Sequence, residues 1–542
     1  MTATHDATPL PGPADLATPA ALQALLDATL AALTEGAQRR GGPLPTGGPD
    51  GVAALLTSRS SATHRDPRPS GPASQLSDDP IVEQSHRAIV EQSDNGLRDP
   101  APVDATASGQ GEAGVARHGG AEALGRFRGH VSADPFVEQS DRAIVQQSDD
   151  VLPEEGVGVS AVADLARVLA AGSADPGDPW CAAHLHCPPL AVAVAADLVA
   201  SALNPSMDSW DQAPVASEIE RRVTGALARL CYPDAAAPDA LVTTGGSDSN
   251  LHGLLLARAK FGAITPVCGR NAHHSVARAA WLLGLPQPVL VDCADDRVLP
   301  DALAEAMDAI TGPVAVIATA GTTNSGSIDP LPDIAALRPD WLHIDAAYGG
   351  GLLFTDRRDL LQGLDQADSI ALDLHKFGWQ PIAAGLFACR DAEDLRVIDT
   401  SADYLNADDD TEAGLPDLLG RSLRTSRRPD AVKIAATMRA LGRRGLGALV
   451  DACCATAQGV ADAVEANPDL ELWGRPTLST VVFRPKADCD VAALRRTLLD
   501  EGRAVLGRAR FDGLWLKLTL LHPHATPADY QPLLDLVVKA AR

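Results

Sequence analysis

The chain has 542 residues, of which 45% are hydrophobic, and its formal net charge is −26 with a sequence pI of about 4.8. This length is enough for more than one domain with its own core. The acidic surface repels nucleic acid and anionic lipid, so we expect neither as a partner. The longest apolar stretch, residues 188–203, contains Asp197 and is too short and too polar for a membrane span.

The cysteines and the N-terminal residues favour a cytoplasmic protein. Nine cysteines are scattered without the spacing of a metal site, so we expect reduced thiols and no bound metal. The first residues lack the basic start and the apolar stretch of a signal peptide. We therefore predict a cytoplasmic location.

In chain order, the first predicted element is an amphipathic helix over residues 20–38, within an N-terminal helical segment that spans residues 1–56. From 57 to 157, Ser, Asp, Gly, Pro and Arg dominate and aromatic residues almost vanish. Such a segment cannot bury enough apolar surface to offset the entropy lost on ordering. We predict that it is mostly a disordered insert.

The insert contains a repeated motif. The segment DPIVEQSHRAIVEQSD begins at Asp79 and DPFVEQSDRAIVQQSD begins at Asp134, and each is itself a doubled V-E/Q-Q-S unit. One interpretation is a docking motif for a partner protein on residues 79–149. The other is a recent duplication in a tolerant loop. The sequence leaves both open.

From residue 158 the pattern is that of a folded protein. Helical patterns are followed by short apolar strands that alternate with helices, which predicts an α/β domain with a mainly parallel sheet over residues 158–396. The predicted strands of this domain are 241–244, 288–292, 314–320, 341–345, 369–373 and 385–390. A mobile loop and a small α+β domain are predicted over 397–542, with helices at 430–442 and 446–465.

The loops after the predicted strands carry the candidate chemistry, because ligands of such sheets lie beyond the carboxyl ends of the strands. Gly246 and Ser247 follow the first strand at the start of a helix. Free backbone N–H groups and the helix dipole favour a phosphate there. A plain glycine turn with a serine cap is the alternative.

Asp345 ends one predicted strand, and Lys376 follows the next. A carboxylate at the first position could hold a pyridinium N–H and make the ring an electron sink, although a turn role is the alternative. A desolvated lysine at the second could act as a nucleophile, whereas a lone loop lysine is ordinarily a surface charge. An imidazole from the loop 271–275 could stack on a flat cofactor. Together, these positions predict a cofactor site.

Five consecutive motifs carry a family resemblance. They are LVTTGGSDSNLHGLLLAR, AHHSVARAAWLLGL, ATAGTTNSGSIDPL, WLHIDAAYGGG and SIALDLHKFGWQP. The chain resembles the group II decarboxylases that depend on pyridoxal 5′-phosphate (PLP), from residue 158 to the C-terminus and weakly over 20–56. The insert falls outside the family pattern.

The resemblance implies a fold-type I enzyme that works as a homodimer, with active sites at the subunit interface. The implied catalytic residues are Lys376 as the Schiff-base lysine, Asp345 on the pyridine nitrogen and His273 stacked on the ring. The other residues implied to hold the cofactor are Gly246 and Ser247 at the phosphate, Thr322 and Ala347 against the cofactor, and His375 beside the lysine.

The segments 182–220 and 401–433 look more like the diaminobutyrate and siderophore-type lysine decarboxylases than the aromatic branch. The implied substrate is a basic diamino acid: 2,4-diaminobutyrate, ornithine or lysine. Asp208 or Asp211 could meet its distal ammonium, or could cap a loop instead. Leu418 stands where the aromatic branch has a proton-donating tyrosine, and Tyr404 lies upstream. The proton donor therefore stays open, as does an aldehyde-forming side reaction.

Two other interpretations remain. One is a different fold-type I reaction, such as an aminotransferase, a lyase or a desulfurase. A desulfurase needs a cysteine on a mobile loop, and Cys453 and Cys454 lie in a predicted helix, which argues against it. The other is a catalytically silent scaffold that recruits a partner through its repeats, against which the intact Lys376, Asp345 and His273 count.

Overall fold

The computed structural model describes residues 19–47, 155–399, 409, 412–413 and 418–542. The repeats of the insert and Tyr404 lie outside these ranges. The helices α1–α11 are, in chain order, Pro19–Arg40, Ser160–Gly172, Ala191–Leu203, Pro214–Cys231, Gly246–Phe261, Ser275–Leu282, Pro300–Asp308, Leu331–Ala336, Ala431–Ala466, Val491–Asp500 and Pro527–Ala540. The strands β1–β13 are Asp239–Thr243, Thr265–Gly269, Val289–Val291, Cys293–Ala294, Arg297–Val298, Val314–Thr319, Trp341–Ala346, Ser369–Asp373, Gly385–Cys389, Leu470–Leu472, Thr480–Pro485, Gly507–Arg510 and Leu514–Thr519.

Seven strands form the main sheet, in the order β1-β9-β8-β7-β6-β2-β3. β9 runs antiparallel to both of its neighbours, and β8, β7, β6, β2 and β3 are parallel. Every residue of β6, β7 and β8 is buried, which is why these strands are almost continuously apolar. The predicted α/β architecture with a mainly parallel sheet is confirmed.

Strand β2 is an element that the sequence analysis did not predict. It contains Pro266, and a proline within an apolar run argues against an internal strand because it lacks an N–H group. Here Thr265 N donates to Pro313 O on the β6 side, so the next nitrogen points towards β3. Pairing with β3 begins only at Val267, so the missing N–H of Pro266 costs no ladder hydrogen bond.

Helix α9 joins two hydrophobic cores. Its N-terminal part, as far as Val450, places Ile434 and Val450 in the core under the main sheet. Its second half places Val460 and Val464 against the antiparallel sheet β10-β11-β13-β12. The two helices predicted at 430–442 and 446–465 form one element interrupted at Gly442, whose φ of 65° is not helical. The predicted division between a large and a small domain at residue 397 stays a prediction.

The described residues contain neither a membrane-spanning helix nor a cluster of metal-ligating side chains. No helix in these ranges combines the length and the apolar character needed to cross a bilayer. No group of three His, Cys, Asp or Glu side chains in the same ranges is placed to hold a metal ion. All nine cysteines lie within the described ranges and are free thiols.

A buried ion pair ties α4 to the segment that leads into α9. Arg427 donates from both terminal nitrogens to the two carboxylate oxygens of Glu220, at 2.7 and 2.6 Å. The two side chains are 2% and 3% exposed. Because both charged side chains are buried away from water, removing one partner would leave the other charged and unpaired in the interior.

Replacing Glu220 with alanine should lower the free energy of unfolding by about 3–5 kcal/mol, because Arg427 stays buried without its carboxylate. The matched control is Glu465→Ala, which removes an ion pair with Arg475 whose partners are 52% and 46% exposed. That change should cost about 0–1 kcal/mol. Urea unfolding followed by circular dichroism measures both variants. Equal losses would contradict the role assigned to burial.

Candidate active site

A cavity of about 280 Å³ lies at the carboxyl ends of β1, β6, β7 and β8. It is lined by Leu185, Thr244, Gly245, Gly246, Ser247, Asp248, His273, Thr319, Gly321, Thr323, Asp345, Ala347, Tyr348, Asp373, His375 and Lys376. Seven of the eight site residues named from the sequence are among them, and Thr322 is the exception. The strand-end loops therefore meet in one place, as parallel strands require.

The glycine turn before α5 is packed too tightly for side chains. A Cβ atom at Gly246 would lie 2.9 Å from the Cβ of Ala347, and one at Gly245 would lie 2.8 Å from Cε1 of His375. Gly245 also has a φ of 153°. The first N–H groups of a helix have no acceptor within the helix, so this turn presents donors to the cavity.

The carboxylate of Asp345 is fixed by its neighbours at the end of β7. One oxygen accepts a hydrogen bond from Asn250 Nδ2 at 2.7 Å, and the other accepts from the backbone N of Ala347 at 3.1 Å. The other amide hydrogen of Asn250 goes to Ser275 Oγ at 2.8 Å. The side chain of Asp345 is therefore held at the cavity wall in one orientation.

A buried histidine extends this network. His343 Nε2 lies 2.9 Å from Asn250 Oδ1, and its Nδ1 lies 2.8 Å from Ser369 Oγ. Burial lowers the pKa of His343 to about 4, although the charge of Asp345 acts in the opposite direction. The neutral ring thus donates from Nε2 to Asn250 and accepts at Nδ1. The sequence analysis missed Asn250, although it lies in the GGSDSN motif, and it missed His343.

Lys376 lies beside a second buried carboxylate that the sequence analysis also missed. Its Nζ is 3.0 Å from Asp373 Oδ2, and His375 Nε2 is 3.3 Å from the same oxygen. Burial alone raises the pKa of Asp373, but the charge of Lys376 and the contact with His375 outweigh it, so this pKa is lowered. Asp373 is therefore ionised. Its position at the end of β8, three residues before the lysine, was the available signal.

His273 and Ala347 both line the cavity. His273 Nδ1 is 2.8 Å from Ser275 Oγ, which orients the ring. Burial lowers the pKa of His273, with the charge of Asp345 opposing the shift, so the neutral form is favoured. A neutral imidazole offers a flat face to an aromatic ligand.

Thr322 does not line the cavity. Its side chain is fully buried, and its hydroxyl donates to Asp296 and contacts Ser325 Oγ at 3.1 Å. The preceding Gly321 has a φ of 103°, which turns the chain, so that Gly321 and Thr323 face the cavity instead. The packing of Thr322 against a cofactor, which the resemblance implied, has no counterpart in this geometry.

Three further residues considered from the sequence lie away from the cavity wall. Asp208 is buried and accepts from Gln212 Nε2 at 3.1 Å, and Asp211 accepts from Ser209 Oγ at 2.5 Å. These contacts match the loop-capping alternative. Leu418 packs in a small apolar cluster with Met207, Ala213 and Ala216.

The antiparallel sheet supports the cavity wall through two polar contacts. The hydroxyl of Tyr348 is 2.9 Å from both Ser479 Oγ and Thr480 Oγ1 at the start of β11. From β13, Lys517 Nζ donates to the backbone oxygen of Thr323 at 2.8 Å. Burial lowers the pKa of Lys517 to about 8. Both contacts join the wall to the second core.

Comparisons with known proteins show the family to which the chain belongs. The family model of the pyridoxal-dependent decarboxylase conserved domain matches residues 144–486. An L-2,4-diaminobutyrate decarboxylase of Rhizobium meliloti is 41% identical over 417 residues, which are 72% of this chain and 84% of that protein. One from Acinetobacter baumannii is 32% identical over 435 residues, covering 72% and 85%.

A solved structure from Vibrio parahaemolyticus also matches. It is the glutamate decarboxylase domain of a diaminobutyrate-pyruvate transaminase and L-2,4-diaminobutyrate decarboxylase. It is 30% identical, with a TM-score of 0.64, and the match covers 77% of this chain and 93% of that one. The chain belongs to the pyridoxal-dependent decarboxylase family. It is a PLP-dependent carboxy-lyase that acts on an amino acid.

The cavity fits PLP by its own chemistry. When bound, this cofactor supplies an aldehyde that joins an amine and a pyridine ring that accepts the electrons left by decarboxylation. The cavity offers an amine on Lys376, a fixed carboxylate on Asp345 and a glycine turn with free N–H donors. These three groups match the aldehyde, the ring nitrogen and the phosphate.

Replacing Gly246 with alanine should weaken PLP binding, because its Cβ atom would collide with Ala347 and crowd Asp373 Oδ2, 3.3 Å away. Overpacking a tight site costs about 1–3 kcal/mol, so the dissociation constant for PLP should rise about five- to 150-fold. Titration of the apoenzyme with PLP, followed by absorbance, measures it. Gly474→Ala, where a Cβ atom would meet nothing within 4 Å, is the control. Equal affinities in the two variants would refute the tight fit.

Proposed function

We propose that the enzyme decarboxylates a basic diamino acid, with L-2,4-diaminobutyrate as the first candidate and ornithine and lysine next. The observation that carries this proposal is the similarity to two diaminobutyrate decarboxylases over most of their length. The charge of the cavity supports it. Within the described chain, the lining contains three carboxylates, a single lysine and no arginine. An acidic side chain would need a cation that this wall does not offer.

The proposed roles of the chain's own residues follow from the contacts. Lys376 is the amine that joins the cofactor, and Asp345 holds the proton on the pyridine nitrogen, since Asn250 and Ala347 N fix its orientation. Gly246 and Ser247 bind the phosphate through their N–H groups, as the sequence predicts. His375 flanks the lysine. None of these roles depends on Thr322.

The residues around the ring must also orient the substrate. The bond to the carboxylate has to stand perpendicular to the ring for its electrons to enter the ring, so the site must hold the carboxylate on one side. His273 lines the cavity and is held by Ser275, which suits it to cover the ring and limit where the carboxylate can lie. Its neutral form avoids a fixed charge against the cofactor.

Product analysis by mass spectrometry tests the proposed substrate. PLP-loaded protein is incubated with basic, acidic and aromatic amino acids, and Lys376→Ala serves as the blank. We expect 1,3-diaminopropane from 2,4-diaminobutyrate, formed only with the intact lysine. An amine from acidic or aromatic amino acids alone would overturn the diamino substrate. No amine from any of them would overturn the proposed reaction itself.

We propose that the enzyme works as a homodimer. Helix α3 exposes three large apolar side chains, Val194, Val199 and Leu203, by 46%, 50% and 74%. Helix α2 exposes Leu165 and Leu169 by 65% and 67%. Large apolar side chains exposed on neighbouring turns of a helix are typical of protein interfaces. Because α3 follows the segment that contributes Leu185 to the cavity, a second copy on α3 would lie close to the active site.

We also propose that residues 79–149 dock another protein and are dispensable for catalysis. Deletion of residues 57–155 should leave the turnover number within about twofold of the full chain, since the composition of this segment predicts no packed core. Sedimentation of both proteins should give the mass of two chains. Loss of turnover in a still-folded dimer would contradict the insert's independence, and a mass of one chain for the full protein would contradict the dimer.

We propose that the enzyme is located in the cytosol. Its support is chemical: all nine cysteines are free thiols, and free thiols persist in a reducing compartment. Thiol titration of protein purified under non-reducing conditions from its own cells tests this. Fewer than nine reactive thiols in the denatured chain would point to an oxidising compartment.

A further inference from the structure

The buried carboxylate of Asp373 has one oxygen in contact with Lys376 and one without a partner in the described residues. It is 3% exposed, and its Oδ2 accepts the contacts of Lys376 and His375. Its Oδ1 is buried, and no hydrogen-bond partner for it occurs among the residues that the structure describes. A buried carboxylate with an unused oxygen is costly unless a nearby positive charge offsets the burial. Lys376 Nζ, at 3.0 Å, is that charge.

The carboxylate of Asp373 has little room to move. The glycine turn lies over it, since Cβ atoms at Gly245 and Gly246 would lie only 3.4 and 3.3 Å from its two oxygens. The residue is also the last of β8, which is paired on both sides by β7 and β9. The backbone of β8 and the glycine turn therefore fix the position of the Asp373 carboxylate. Of the two groups in the ion pair, the side chain of Lys376 is the one that can move.

Other titratable groups face the pair from each neighbouring element. They are Asp345 on β7, Asp248 on α5, His273 before α6, His375 in the lysine's own loop and His186 near His375. Asp345 is engaged by Asn250 and Ala347, and Asp248 is engaged by the backbone N and hydroxyl of Thr244. Asp373 is the carboxylate in direct contact with the lysine.

We propose that Asp373 is a positioning residue that holds Lys376 as an ammonium whenever this nitrogen is not joined to the cofactor. The proposal rests on the proposed role of Lys376. To join PLP, the ammonium first loses a proton to solvent, and its nitrogen then attacks the aldehyde carbon. A C=N bond forms and water leaves. Asp373 stabilises the protonated form, so it sets the pH above which the lysine reacts.

The test measures the reactivity of Lys376 in the full-length apoenzyme. Competitive labelling with acetic anhydride between pH 6 and 11, read by mass spectrometry of the Lys376 peptide, gives the midpoint pH of its reaction. Asp373→Asn should lower this midpoint by about 1–3 pH units, because an opposite charge in contact has been removed. Asp368→Asn is the matched control, since Asp368 lies just before β8 and bonds Leu342 N at 2.7 Å, away from the cavity.

Asp373→Glu keeps the charge and should keep the midpoint close to that of the wild type. An unchanged midpoint in Asp373→Asn overturns the proposal. So does an equal fall in Asp373→Asn and Asp373→Glu, which would mean that shape and not charge matters. If Asp373→Asn does not fold, as judged by circular dichroism, the Asp373→Glu midpoint decides: a fall of one unit or more overturns the proposal, and a wild-type midpoint supports it.

A second experiment tests the proposed role of Lys376 independently of the role of Asp373. Wild-type protein loaded with PLP is reduced with borohydride and digested, and the peptide that carries the cofactor is identified. PLP on another peptide would refute the proposed role of Lys376, whatever the labelling midpoints are. PLP on Lys376 together with an unchanged midpoint in Asp373→Asn would refute only the role of Asp373.

Discussion

The side-chain amide of Asn250 fixes the relative positions of several groups in the active site. It donates to Asp345 on β7 and to Ser275 at the start of α6, and it accepts from His343 inside β7. Each of these contacts positions another group: Ser275 orients His273, and Asp345 faces the cavity. All of the partners are buried, so each hydrogen bond that is lost would leave a polar group unsatisfied in the interior. The positions of Asp345, Ser275 and His343 therefore depend on one another through Asn250.

The positions of Asp345 and Lys376 could be predicted because they depend on local order. Asp345 ends one apolar strand and Lys376 follows the next, and parallel strands bring their carboxyl ends to one edge. Asn250 and Asp373 were missed for a different reason. Asn250 meets Asp345 across 95 positions, and its polar neighbours in the motif read equally well as a helix cap. From the sequence, Asp373 is simply the last residue of a strand. Its contact with Lys376 and its packing under the glycine turn are seen only in the structure.

Thr322 and β2 show two other limits of sequence reasoning. A motif places Thr322 in the correct loop but does not say which of two adjacent residues faces the cavity, and the positive φ of Gly321 decides that. Pro266 argues against a strand unless one knows where the next strand begins to pair. Both depend on the direction in which a single backbone bond points, and composition and periodicity carry little information about this.

The contacts of Tyr348 and Lys517 have a thermodynamic consequence. Both join the wall of the cofactor cavity to the antiparallel sheet, which has a core of its own. A ligand that binds only when this wall is formed shifts the folding equilibrium of everything the wall depends on. The cofactor's binding energy is thus shared with the C-terminal sheet, which begins only at Leu470. The enzyme without its cofactor would then be more susceptible to proteases at its C-terminal end.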